Sequence, residues 1–258
     1  MTDTDYVKQP ESTLHRTNSL PKAMLVDLDD TILAYEPGSG DVLRAVCAAY
    51  ADKLPDWTVD QLVAGIDSYR RWFWSDPGRH RRARLSTSNI RHEIMIGAFR
   101  QMGIHSLSLA RSMGDAYGRE REKRVQPFPG AVETLATLQE AGVRMALITN
   151  GNSAIQRSKI DRFDLERYFD LIMIEEEFGV GKPDERVYLH ALDQLDARPD
   201  EAWMIGDNLN WEVATPQRLG ITGIWHDFRG RGLPDGSSVR PDRIVRSFRE
   251  VLQTGFGV

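Results

Sequence analysis

The sequence predicts an α/β fold: a doubly wound parallel sheet whose first strand is followed by an all-helical insert. Three observations predict it. From residue 131 onward, short continuous apolar runs alternate with stretches of helical period, and such runs suit strands buried on both faces. Helix and strand in alternation require crossover connections, hence parallel pairing. From about Asp41 to Val125 the period is helical, with no strand alternation. A length of 258 residues suits one large domain or a core carrying a smaller insert.

Residues 1–20 are polar and broken by Pro10, and are expected to form a frayed tail. Ala23-Met24-Leu25-Val26 reads as the first buried strand, and Tyr35 to Gly40, with Pro37 and two glycines, as a loop. Val59, Leu62, Val63, Ile66 and Tyr69 then mark one face of a helix, which Thr58 and Gln61 open as a capping box. Ile90, Ile94, Met95 and Phe99 mark another. Pro127, Pro129 and Gly130 punctuate the end of this region. Helices are expected at Ala131–Glu140, Ser153–Phe163, Glu185–Leu192 and Asn210–Leu219, and strands at Val143–Ile148, Leu171–Ile174, Ala202–Ile205 and Ile221–Trp225. Ile244-Val245 reads as a short edge strand, and Ser247 with Glu250 as the cap of a last helix. The expected division is a core over 21–36 and 126–258 and a helical insert over 37–125.

Composition excludes several functions. There are 33 Lys+Arg against 38 Asp+Glu, a net charge of −5, whereas a general nucleic-acid binder needs a dense basic surface. The longest apolar runs fall far short of the ~18 residues of a membrane-spanning helix. No secretory pattern is read at the start, and the single cysteine, Cys47, forms no internal disulfide, so a cytoplasmic location is expected.

Ligands of an open parallel sheet bind beyond the carboxyl ends of its strands. Four predicted strands deliver chemistry there: Asp27 and Asp29; Thr149 and Asn150; Lys182, in Gly181-Lys182-Pro183; and Asp207 and Asn208, after Gly206. Several carboxylates at close quarters repel each other unless they share a cation, and hard oxygen donors with few neutral ligands fit Mg2+.

Asp27-Leu28-Asp29-Asp30-Thr31 resembles the D-x-D-x-T signature of haloacid dehalogenase-like (HAD) hydrolases. Ile148-Thr149-Asn150-Gly151, Gly181-Lys182-Pro183 and Gly206-Asp207-Asn208 resemble that family's remaining motifs, in its order. The resemblance runs from Lys22 almost to the end of the chain, and the insert sits where the family carries a cap. It implies a Rossmann-like core and a Mg2+-dependent phosphatase acting on a small phosphorylated metabolite through an aspartyl-phosphate. By the same resemblance Asp27 is the nucleophile and Asp29 the acid and then the base. Asp27, Asp207 and the Asp29 carbonyl hold the metal, and Thr149, Asn150 and Lys182 bind the phosphoryl group. The family commonly places a second Asp five residues beyond Asp207. Here Glu212 stands in its place, and it is expected, like Asn208, to support the site from behind.

The rivals are a 2-haloacid dehalogenase, a phosphomutase and a non-enzymatic phosphoacceptor module. Asp29 and Asp207 oppose the first, and chain length and motif order the last, whereas a mutase differs only in the acceptor of the phosphoryl group. A P-loop is excluded by Glu176 and Pro183, and a nucleophile elbow by Ile155. The run Arg79-His80-Arg81-Arg82-Ala83-Arg84 reads as a solvated basic loop, with the sharper alternative that one arginine grips an anionic leaving group. Trp72-Phe73-Trp74 is expected in a core or cap interface, and the histidines show no metal-ligand spacing.

Overall fold

The computed structural model describes residues 19–76, 78–79, 82–83 and 90–253. Six strands form one parallel sheet: β1 (Ala23–Val26), β4 (Arg144–Thr149), β5 (Leu171–Ile174), β6 (Ala202–Gly206), β7 (Thr222–His226) and β8 (Arg243–Val245). Their spatial order is β5-β4-β1-β6-β7-β8. The chain thus builds outward from β1 on one side, then returns to build on the other. Val26 pairs with Leu147 of β4 on one flank and Ile205 of β6 on the other, which makes the end of β1 the switch point.

Side chains of a strand alternate between faces, and both faces of β1 are covered. Met24 and Val26 join a cluster with Met145, Leu147, Ile205 and Ile224, closed by Leu135 and Leu138 of α5 (Ala131–Glu140) and Ile160 of α6 (Ser153–Arg162). Ala23 and Leu25 face a second cluster with Ala146, Met204, and Val187 and Leu192 of α8 (Glu185–Gln194). Burying each large aliphatic side chain contributes roughly 1.5–3 kcal/mol, which explains why these strands are apolar throughout. A single turn, α7 (Glu175–Phe178), follows β5.

Between β1 and β4 stand α1 (Ser39–Ala49), α2 (Val59–Trp74), α3 (Ile90–Gln101) and α4 (Leu107–Arg124). They share a cluster of their own, centred on Leu43, Leu62, Ile66, Phe99 and Met113. The capping box of α2 is formed: the Gln61 N–H donates to Thr58 Oγ1 at 3.2 Å, and the Thr58 N–H to Gln61 Oε1 at 2.9 Å. A two-stranded antiparallel ribbon flanks the helices, β2 (Leu33–Ala34) on β3 (Gln126–Pro127). At two residues each, its strands are too short for a periodicity signal.

The expected helix Asn210–Leu219 is divided into a π-turn, Leu209–Ala214, and α9 (Thr215–Arg218). Pro216 has no N–H with which to continue a helical ladder, and Asn208 Oδ1 takes the N–H groups of Asn210 and Trp211. The last predicted helix is a short 3₁₀ segment, Phe248–Leu252, behind the expected Ser247–Glu250 capping box. Trp72-Phe73-Trp74 does not act as a unit. Phe73 is buried, Trp72 is 52% exposed beneath the Arg79 guanidinium, and Trp74 faces a cavity. Among the described residues no helix is long and apolar enough to cross a membrane.

Candidate active site

Asp27 directly follows β1, and its N–H reaches Ile205 O at 3.0 Å, prolonging the ladder by one residue. Thr31 Oγ1 donates to Asp27 Oδ2 at 2.9 Å, and Lys182 Nζ to Oδ1 at 2.6 Å. Lys182 also meets Glu212 Oε1 at 2.8 Å, with both side chains 1% exposed. Glu212 Oε2 accepts the Asn208 N–H at 2.8 Å, so both its oxygens are engaged. This route needs Gly206: a Cβ there would fall inside the Glu212 side chain. Trp225 Nε1 donates to the Asp207 carbonyl at 2.8 Å, fixing the backbone beyond β6.

One buried ammonium therefore meets two carboxylates, Asp27 and Glu212, and Asp207 is close enough to feel the charge of all three. Burial works against the charge on Lys182, but Asp27 and Glu212 outweigh it and hold the group protonated. Burial, and then the nearby Asp27, Glu212 and Asp30, push Asp207 well above the usual carboxylate range. Burial raises Glu212 to about 7 although Lys182 pulls it down. A surplus of anionic oxygen at one point is what a hard divalent cation would relieve. Asp27 and Asp207 line the same cavity. Among the described residues no three His, Cys, Asp or Glu side chains gather closely enough to hold a metal. Two carboxylates, a backbone carbonyl and water form a donor set that suits Mg2+, which keeps several waters.

At the end of β4, Thr149 is buried, and its Oγ1 accepts from Gln156 Nε2. The Asn150 amide is spent on the neighbouring loop: its Nδ2 donates to Lys182 O at 2.7 Å and its Oδ1 accepts the Lys182 N–H at 2.8 Å. That contact leaves no room for a side chain at Gly181, where a Cβ would lie 2.5 Å from Asn150 Oδ1. Asp29 points toward α6, where Lys159 Nζ meets both its oxygens at 2.8 and 2.7 Å.

These residues line a cavity of about 760 Å³, a size typical of small-molecule sites. Its opposite wall comes from the helices and includes Arg70, Trp74, Arg91 and Arg121. Of the described residues of the basic run, Arg79, Arg82 and Ala83, only Ala83 lines it. Arg79 is turned onto Trp72 O and Phe73 O at the end of α2, while His80, Arg81 and Arg84 lie outside the described residues.

The family model for haloacid dehalogenase-like hydrolases matches residues 21–220. The chain belongs to that family. The HAD hydrolases similar to it include the phosphoserine phosphatase of Thermus thermophilus, 31% identical over 249 residues, which cover 90% of this chain and 98% of that one. The ribulose-1,5-bisphosphate 5-phosphatase of Halopiger xanaduensis is 31% identical over 210 residues, 80% and 84% of the two chains. Among solved structures, the HAD-hydrolase YfnB of Bacillus subtilis, described as bound to magnesium, superposes with a TM-score of 0.69 at 19% identity, covering 90% of this chain and 97% of that one. A 2-haloacid dehalogenase from Pseudomonas syringae superposes with a TM-score of 0.59 at 22% identity, covering 90% and 96%. The HAD fold is thus common to different chemistries, and the choice among them rests on the site.

Sequence reasoning did not single out three residues of this HAD site. Thr31 is the last position of the D-x-D-x-T pattern, and its hydroxyl holds Asp27. Gln156 and Lys159 lie three apart on α6, one helical turn behind its Asn152 cap. That spacing puts them on one face, and their place beside a strand end was the available signal.

Proposed function

We propose that this enzyme is a Mg2+-dependent phosphatase that hydrolyses a small-metabolite phosphomonoester through an aspartyl-phosphate on Asp27. The observation that carries the reading is the buried lysine shared by more carboxylates than it can neutralise, at the head of a cavity where Asp29 stands two residues from Asp27. A dehalogenase needs the nucleophile but neither Asp29 nor Asp207. The phosphatase relatives point the same way.

Asp27 attacks phosphorus, the bond from phosphorus to the ester oxygen breaks, and Asp29 gives a proton to the departing oxygen. Asp29 then takes a proton from the water that attacks the aspartyl-phosphate, releasing inorganic phosphate and restoring Asp27. Lys182 and Thr149 bind phosphoryl oxygens, with the Asn150 backbone as a further donor, while Glu212 and Asn208 keep Lys182 and the Asp207 turn in place. When bound by Asp27, Asp207 and the Asp29 carbonyl, Mg2+ offsets the repulsion between the nucleophile and the phosphate.

Residues 37–125 act as a cap over the core of 21–36 and 126–258, shielding the intermediate from water. Arg70, Arg91 and Arg121 on its wall favour a leaving group that carries an anion or several hydroxyls. A reducing cytoplasm suits the lone Cys47.

The test is a phosphate-release screen over a metabolite panel, with and without Mg2+. Wild-type enzyme is expected to release phosphate only with the metal, and Asp27→Asn to lose at least about a thousandfold in kcat/KM. Phosphate release by Asp27→Asn at the wild-type rate removes the nucleophile assignment.

A further inference from the structure

Lys159 is a second cation at the site, and the phosphatase reading gives it no task. Its side chain is only 11% exposed. An ammonium group has three N–H donors, and here all three have acceptors: Asp29 Oδ1 at 2.8 Å, Asp29 Oδ2 at 2.7 Å and Gln156 Oε1 at 2.7 Å. The ammonium also lies over the Tyr35 ring, with Nζ 4.3 Å from the ring centroid. Gln156, 2% exposed, completes the set: the two hydrogens of its Nε2 are shared among Asp29 Oδ2 at 3.1 Å, Thr149 Oγ1 and Asn150 O at 3.1 Å.

Two features separate this cluster from an ordinary ion pair. A lysine ordered along its whole length gives up most of its rotamer freedom, and an exposed pair returns little for that. Here the partner is a single carboxylate that lies 130 residues away in sequence and faces the cavity. The other is how Lys159 is used. With its hydrogens committed to Asp29 and Gln156, it is not placed as a phosphate ligand in the manner of Lys182. It grips both oxygens of Asp29, which fixes the side chain's rotation, while Gln156 ties the same carboxylate to Thr149.

We propose that Lys159 is a positioning residue: together with Gln156 it holds the Asp29 carboxyl at the angle from which it serves the leaving oxygen. The proposal rests on the phosphatase reading, in which Asp29 passes to the ester oxygen a proton brought on the phosphate monoanion of the substrate, and then takes one from the attacking water. Misplacing a proton donor harms esters whose leaving oxygen is strongly basic and spares those that leave unaided. A lysine that only supported the fold, or only bound phosphate, would show no such preference.

The test is kcat/KM across a series of ring-substituted phenyl phosphates, from p-nitrophenyl phosphate to phenyl phosphate, for wild type, Lys159→Met, Lys159→Arg, Asp29→Asn and the double variant Lys159→Met/Asp29→Asn. Lys159→Met is expected to lose about tenfold or more on phenyl phosphate but less than about threefold on p-nitrophenyl phosphate, within the range of general acid catalysis. The plot of log kcat/KM against leaving-group basicity thus steepens. Lys159→Arg is expected to recover most of the loss, and adding Lys159→Met to Asp29→Asn to cost nothing further. Equal losses on both esters, no loss on phenyl phosphate, or additive losses in the double variant overturn the proposal. A wild type that releases phosphate from none of the esters, or an Asp27→Asn enzyme as active as wild type, overturns the phosphatase reading itself, and with it this one. That result is distinct, since it appears before Lys159 is altered.

Discussion

Glu212 is the residue on which the electrostatics of the site turn. It sits in the longer-armed place of a motif aspartate, bent back over Gly206 so that one oxygen meets Lys182 and the other the Asn208 N–H. Burial lifts its pKa from 4.5 to about 7. A carboxyl whose pKa is raised by folding stabilises the folded state while protonated. Its contribution is complete below about pH 4.5 and is lost as the pH rises through about 7. In the presence of a chelator, the unfolding free energy of the wild type is therefore expected to fall by on the order of 3 kcal/mol across that window relative to Glu212→Gln, which cannot ionise. Urea denaturation of both proteins from pH 4 to 8 measures the difference, and parallel pH profiles would refute it.

The elements show how far a sequence carries. β1, β4 and β6 were legible because each is a continuous apolar run ending in residues that do not belong in a strand: Asp27, Asn150 and Asp207. The boundary of α2 was legible because Thr58 and Gln61 satisfy each other's backbone donors locally. Thr58→Ala is expected to cost about 1 kcal/mol, read as a lowered thermal midpoint. The rest was hidden where distant groups decide. Nothing local in Leu209–Ala214 separates a π-turn from an α-helix, because the choice lies with Asn208 and with a glutamate reaching back to Lys182. Lys159 reads as a solvated lysine on a polar helix until Asp29 is placed against it. The arginines of the cavity, Arg70, Arg91 and Arg121, were eclipsed by the more conspicuous run at 79–84, since charge density along a chain says little about which side chains a fold turns inward.

At the scale of the molecule, two bodies of apolar packing lie on either side of the cavity: the pair that sandwiches the sheet and the one shared by α1 to α4. Arg121 joins them. Its side chain donates to Tyr35 O at 3.0 Å, and its guanidinium lies 3.8 Å from the Tyr35 ring centroid. The ribbon of β2 and β3 brings Ala34 opposite Gln126, and paired residues of an antiparallel ladder stand only about 5 Å apart. Replacing residues 36–124 by a tight Gly-rich turn is accordingly expected to leave a core that folds alone and unfolds in one cooperative transition, with the release of alkyl phosphates impaired. Circular dichroism and thermal melting report the outcome, and a shortened chain without native-like ellipticity would show that the helices are needed to fold the sheet.

That narrow ribbon has an evolutionary corollary. On the proposed division into core and cap, the two are joined through a neck two residues wide on each strand, so an exchange of genetic material at a single locus would replace the whole cap while the proposed reactive machinery keeps its inheritance. A lineage built this way can try new selectors against an unaltered engine, which gives a physical reason for so many catalysts of differing appetite to share one chassis.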